Sequence, residues 1–258
     1  MEVRVEQVSK TYARGREAVV AVDGVSFAVQ AGEFVALLGP SGCGKSTLLM
    51  IVGGLLAPSA GRVEFHGPPG ARPSTAMVFQ DFALFPWRTV LHNVAFGLEV
   101  RGVPRGDRLQ RARELIHAVG LAGFEERYPR ELSGGMRQRA GMARAFAVDP
   151  AVLLMDEPLS ALDAQTRDLM QDELLRLCER QGRTVLYVTH NIHEAAYLAD
   201  RIVLLSRRPG RVRAVLPVPL PRPRDESMQA SPPFVGFTRE IWAMVKDEAR
   251  AAMAEQEA

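Results

Sequence analysis

Residues 39–47 read GPSGCGKST and fit the pattern G-x-x-x-x-G-K-[ST], with Gly39, Gly44, Lys45 and Ser46 in register. This arrangement suits phosphate chemistry. Gly42 and Gly44 let the backbone curl so that successive N–H groups point inward at phosphate oxygens. The loop feeds a helix N-terminus, which adds roughly half a positive charge. Lys45 can reach the terminal phosphates, and Ser46 can set its hydroxyl on Mg²⁺. The cradle as a whole comprises Gly39, Pro40, Ser41, Gly42, Cys43, Gly44, Lys45, Ser46 and Thr47, with Cys43 read as a small loop residue without chemistry of its own.

VLLMDEP at 152–158 is an apolar strand that ends in two acids. Such a strand delivers Asp156 and Glu157 to the C-terminal edge of a sheet, where ligands sit in open α/β folds. Successive strand residues face opposite ways, so the two acids are expected to differ in role. Asp156 suits the Mg²⁺ shell, and Glu157 suits a general base facing the attacking water. His190 ends a second apolar strand, TVLYVTH, from where it can hydrogen-bond a terminal phosphate. Gln80 follows the strand AMVF and can ligate Mg²⁺ or orient water. His190, His193 and Glu194 form H-x-x-H-E, but a helical zinc pair sits four apart, so His193 is read as an exposed helix residue. LSGGM at 132–136 is a second anion cradle, a serine and two glycines opening a helix-like run.

The elements that must hold these residues are legible in the hydrophobic pattern. EVRVEQV alternates at period two, and VSFAVQAGEFVALLG gives two strands divided by Ala31-Gly32. FVALL, AVLLMD, TVLYVT and RIVLLS are short apolar runs, as expected of strands buried on both faces. A helix is expected from Leu48 to about Gly53, and others over 164–181 and 192–199. RLQRARELIHAV places Leu109, Ala112, Leu115, Ile116 and Val119 on one stripe, with Gly120 as C-cap. The expected fold is α/β: a mostly parallel sheet flanked by helices, with an N-terminal antiparallel β region and an α-helical subdomain inserted at about 84–148. This domain is expected to span 1–220. Residues 221–258 read as a proline-rich linker and a terminal helix.

Composition limits the classes of function. A net charge of +2 offers no bulk basic field for nucleic acid. Two cysteines, Cys43 and Cys178, have no metal-type spacing and fit a reducing compartment. MEVRVEQVSK has no apolar signal core, and no run reaches the ~18 apolar residues that span a bilayer. Any membrane span is expected to come from other chains.

Taken together, these residues resemble the ATP-binding subunit of an ABC transporter, with the motifs in family order over about residues 1–215. GPSGCGKST resembles Walker A of the P-loop NTPase core, VLLMDEP Walker B, and Gln80 the Q-loop. LSGGM resembles the signature motif, SALD at 160–163 the D-loop, and His190 the switch histidine. The resemblance implies ATP and Mg²⁺ as cofactors and Tyr12 as an aromatic stacked on adenine. It also implies two copies packed head to tail, with Ser133, Gly134, Gly135 and Asp163 of one copy closing on the nucleotide of the other. The two cradles then have one explanation, since each site needs both chains.

LFPWRTVLHNV, LSGGMRQR and HEAAYLADRIVLLSRRPGRV are similar to the importer branch for nitrate, sulfonates and taurine. Met136 departs from the glutamine of many other branches, and Asn191 from the usual aspartate. The branch implies transmembrane permease subunits, an extracytoplasmic solute-binding protein, a peripheral place on the cytoplasmic face of the membrane, and no nucleic acid. Phe82, Leu84, Phe85 and Trp87 are the expected apolar anchors for a permease helix. The alternative is a soluble switch of the same class in DNA repair or translation. Such proteins usually carry tandem cassettes or a long coiled-coil insertion, and this sequence shows neither.

Overall fold

The computed structural model describes residues 1–14, 17–68, 74–179 and 182–256, with side chains described except at 14, 17 and 247–256. In chain order the elements are β1 (Glu2–Arg14), β2 (Glu17–Val29), β3 (Phe34–Leu38), α1 (Lys45–Val52), β4 (Ala60–His66), β5 (Thr75–Val78), α2 (Val90–Val100), α3 (Arg105–Ala118), α4 (Gly134–Ala147), β6 (Val152–Asp156), α5 (Ala164–Glu179), β7 (Thr184–Thr189), α6 (Ile192–Leu198), β8 (Arg201–Leu205), β9 (Val212–Pro217) and α7 (Pro232–Gln256). They form two compact units, Met1–Pro73 with Gln181–Ala258, and Ser74–Arg180.

In the first unit, β2, β1 and β4 make an antiparallel sheet in that order, while β7, β3 and β8 lie parallel and β9 closes the edge antiparallel to β8. Every residue of β3 and β7 is buried, so these strands read as unbroken apolar runs. β1 does alternate, with Val3 and Val5 buried and Arg4 exposed. A register shift between Val5 and Val8, at left-handed Gln7, then resets the phase. The turn at Ala31-Gly32 carries the chain from one sheet to the other. α7 is anchored by Phe234, Phe237 and Ile241, all buried on one face.

In the second unit, β5 and β6 pair in parallel from Thr75↔Val152 to Val78↔Met155. α3 buries Ala112, Leu115 and Ile116, and Val119 just beyond them, as its stripe predicts. It ends at Gly120, whose N–H reaches the His117 carbonyl at 2.9 Å while Leu121 N–H reaches Ile116 at 2.8 Å. The helix expected over 164–181 is α5, and positions 180–181 lie outside the described residues. Two helices begin earlier than the apolar pattern suggests. α1 starts at Lys45 because Leu48 N–H already bonds the Gly44 carbonyl at 2.9 Å, and α4 starts within the glycine pair at Gly134. Among the described residues no helix is long and apolar enough to cross a membrane.

Candidate functional site

The phosphate loop joins β3 to α1. Gly44 caps α1 at φ 97°, where a Cβ would sit 2.5 Å from Val22 Cγ1 and 2.8 Å from the Ala21 carbonyl oxygen. Conformation and space both require glycine here. Lys45 is buried, and its Nζ donates to the Gly39 and Pro40 carbonyls at 2.8 and 2.9 Å. The cation is thus held across its own loop, while Ser41 and Gly42 stay exposed at the mouth. Cys43 lies beneath the loop, where burial pushes its thiol above the ordinary range against the pull of the Lys45 ammonium. Tyr12 Oη lies 3.4 Å from Thr47 Oγ1, and its ring takes Lys10 Nζ at 5.5 Å from the centroid. The structure therefore brings the exposed Tyr12 ring beside the cradle.

β3 and β7 are paired to their last residues, Leu38↔Thr189, so His190 leaves the sheet at the same edge as the phosphate loop. The turn carrying His190 is fastened by a residue that sequence reasoning weighed only within a metal pattern. Glu194 is buried, and its Oε2 accepts from the Thr189 hydroxyl at 2.8 Å and the Tyr187 hydroxyl at 3.1 Å. Its Oε1 accepts from Asn191 Nδ2 at 3.4 Å. Asn191 Oδ1 caps α6 by accepting from the His193 and Glu194 amides at 2.9 and 3.3 Å. Asparagine can perform this cap as aspartate does. The signal for Glu194 was a charge on an otherwise apolar helix face, IHEAAYLA.

In the second unit the acid pair ends β6. Asp156 is buried at the strand terminus. Glu157 lies outside the strand at φ 46°, so a left-handed backbone, rather than simple strand alternation, separates it from Asp156. The Glu157 carbonyl accepts from the Ser160 hydroxyl at 2.9 Å and from Gln138 Nε2 at 3.1 Å. Gln138 is itself fully buried in α4, and its Oε1 accepts from Ala161 N–H at 3.0 Å. The helix opened by LSGGM thereby clasps the turn that aims Glu157. The only hint in the sequence was a glutamine on the stripe shared with Gly141, Met142 and Ala145.

Ser133 caps α4, accepting from Met136 N–H at 3.3 Å, and stays exposed. A Cβ on Gly135 would approach Leu162 Cδ2 to 2.8 Å and the Ala161 carbonyl to 3.5 Å, so the glycine pair lets SALD pack onto the start of α4. Asp163 caps α5, accepting from the Thr166 amide at 2.9 Å and its hydroxyl at 2.8 Å, and these two donors hold its carboxyl below the usual range.

Gln80 is exposed just past β5. The loop after it contains two left-handed residues, Phe82 and Ala83, whose carbonyls accept from the Arg144 guanidinium at 3.2 and 2.5 Å. Asn93, fully buried, then uses its whole amide on the next segment. It accepts from Phe85 N–H at 2.8 Å and donates to the carbonyls of Phe85, Arg88 and Thr89 at 2.9–3.1 Å. The result is a rigid ledge on which Phe85 packs edge-on to Phe96 and Trp87 stands 71% exposed. Phe82, Leu84 and Phe85 are half-buried.

Comparison with known proteins agrees with this arrangement. The pattern of the ABC transporter family matches residues 22–160. An uncharacterized ABC transporter ATP-binding protein of Methanocaldococcus jannaschii is 45% identical over 96% of this chain and 92% of its own. The taurine import ATP-binding protein TauB of Burkholderia pseudomallei is 52% identical over 81% of each. Among solved structures, the dimeric MJ0796, a bacterial ABC transporter cassette, superposes with TM-score 0.77 at 34% identity, covering 84% of this chain and 98% of that one. A post-hydrolysis state of the same cassette bound to ADP and Pi gives 0.75. With its P-loop α/β fold and this ordered set of motifs, the chain belongs to the ABC transporter family, as an ATP-binding and ATP-hydrolysing subunit.

Proposed function

We propose that this subunit powers uptake of a small solute, taurine or a related sulfonate or nitrate, through a separate membrane permease, working from the cytoplasmic face. The observation that carries the reading is the similarity to a taurine import subunit over four-fifths of both chains. The ledge presenting Trp87 supports it, since a rigid exposed aromatic is a good anchor for a permease helix. Two copies would pair about a two-fold axis, and the neighbouring cassette is itself dimeric. Ser133, Gly134, Gly135 and Asp163 of one copy would then face the nucleotide of the other. An extracytoplasmic solute-binding protein would deliver the solute.

In the hydrolytic step, Lys45 exchanges its loop carbonyls for phosphate oxygens. The loop amides join it there, each such donor contributing roughly 2.7–4 kcal/mol in a preorganised site. Tyr12 offers its ring to adenine. Glu157 takes the proton of the attacking water, and His190 donates to the departing phosphate. The donor set of Ser46, Gln80 and Asp156 is all oxygen with one buried carboxylate, which fits Mg²⁺. Mg²⁺ would supply charge neutralisation on the phosphates.

The test is Glu157→Gln together with the parent protein, reconstituted with its permease and solute-binding protein. The variant is expected to bind ATP and dimerise while hydrolysing at least ~100-fold more slowly. The parent's ATP hydrolysis should rise on adding taurine. Full activity in the variant removes Glu157 from its role, and indifference to the permease favours the soluble switch.

A further inference from the structure

α7 carries a second row of side chains beside the three that seat it, and of these only Thr238 is buried. Val235, Thr238, Arg239, Trp242 and Val245 recur at helical spacing and form one wall of a cavity of about 530 Å³. The opposite wall is the end of β3 at Leu38 and Gly39 and the turn of residues 190–193. The buried residues that seat the helix, Phe234, Phe237 and Ile241, are not among the residues that line the cavity. The wall is mixed in a particular way. Trp242 and Val235 are exposed apolar groups, at 59% and 37%. Arg239 is exposed and has no acidic partner among the described residues. Two imidazoles, His190 and His193, complete the polar side, and His193 is steadied by the Phe234 ring at 5.8 Å. Among the described residues no carboxylate lines the cavity.

A cleft of this size holds a small organic molecule, and its apolar walls with a few convergent polar groups are the usual makeup of a binding site. A guanidinium and two imidazoles favour an anionic head. An indole and aliphatic walls favour an apolar or aromatic body. We infer that the cavity between α7 and the His190 turn binds a small amphipathic organic anion, a carboxylate or sulfonate on an apolar body, and that its occupancy tunes ATP hydrolysis through His190. The second half rests on the reading of His190 as a group acting at the terminal phosphate. Ligand and nucleotide need not overlap, because His190 and Gly39 are the shared wall and the anion's partner, Arg239, lies on α7.

The experiment titrates the full-length protein with 8-anilinonaphthalene-1-sulfonate, an aromatic sulfonate that fluoresces when shielded from water. A parallel titration uses the uncharged N-phenyl-1-naphthylamine. The expected result is one saturable sulfonate site, weakened at least about tenfold in Arg239→Gln and abolished in Thr238→Trp, which fills the cavity. The uncharged probe should bind the parent and Arg239→Gln alike. Saturating sulfonate should change ATP hydrolysis at least about threefold in the parent and leave Arg239→Gln unchanged. Equal sulfonate affinity in the parent and both variants overturns the site, as does displacement of the probe by ATP, which places it on the phosphate loop. Binding without any change in hydrolysis overturns the link to His190. The affinity titrations are run without ATP, which is added only in the displacement arm, so the site is judged apart from the role of His190, on which hydrolysis by His190→Ala reports separately.

Discussion

Replacing Gln138 by leucine should unfasten the turn that aims Glu157, without touching the phosphate loop. The side chain is 1% exposed and makes two short bonds, to the Glu157 carbonyl at 3.1 Å and from Ala161 N–H at 3.0 Å. The two losses are unequal. The Glu157 carbonyl keeps the Ser160 hydroxyl at 2.9 Å, so it forfeits only a net bond of about 0.5–1.5 kcal/mol. Ala161 N–H loses its side-chain partner, at a cost of about 1–3 kcal/mol. Leucine avoids burying the amide, which offsets part of this, leaving about 1.5–3 kcal/mol of lost stability. The left-handed backbone of Glu157 adds a kinetic consequence. Such a conformation costs about 1–3 kcal/mol and persists only where neighbours enforce it. With the clasp gone, a carboxylate displaced by ~1 Å should slow hydrolysis by about 10- to 100-fold. The assay pairs urea denaturation with kcat and with the Kd for ATP. Stability and kcat should fall while Kd stays within about threefold. A variant as stable as the parent within about 0.5 kcal/mol, hydrolysing at the parental rate, refutes the argument.

Three further outcomes are expected. Gly44→Ala forces a Cβ into Val22 and Ala21 at a positive φ, so it should cost more than about 2 kcal/mol and abolish ATP binding, measured by denaturation and nucleotide titration. Glu194→Ala removes the carboxylate that accepts from the Tyr187 and Thr189 hydroxyls and should cost about 2–4 kcal/mol in urea unfolding, whereas Glu194→Gln keeps an acceptor and should lose less than half of that. Burial raises the Cys43 thiol above its ordinary 9.0, so native protein at pH 8 holds less thiolate than the unfolded chain, and the associated stability is lost as pH rises past the unfolded value. Cys43 and Cys178 are both buried, so a thiol reagent at pH 8 should label both only after denaturant is added.

Local chemistry was readable because it is written in contiguous residues. The phosphate loop needs glycines, a lysine and a hydroxyl within one turn, so GPSGCGKST declares itself, and the flanking apolar runs predict β3 and α1. The apolar runs ending at Asp156 and Thr189 likewise mark buried strands whose ends present polar groups. Helix starts were less legible at Lys45 and Gly134, because a helix begins where the backbone first bonds, ahead of the apolar stripe.

The amino-acid sequence by itself determined the α/β class, the motif order, the nucleotide chemistry and the family, since each rests on residue types at fixed short spacing. Only the tertiary structure decided which polar residues hold those motifs in place. Gln138 and Arg144 look like ordinary helix residues along the chain, and their partners stand at separations no local pattern encodes. Glu194 and Asn93 bond close in sequence, but only folding buries them and turns their side chains onto the preceding turns. The same holds for α7, whose second row of side chains acquires meaning only when folding sets Arg239 and Trp242 opposite the His190 turn. A buried polar group is defined by where its hydrogen bonds end, and that is a property of the packed chain rather than of its composition.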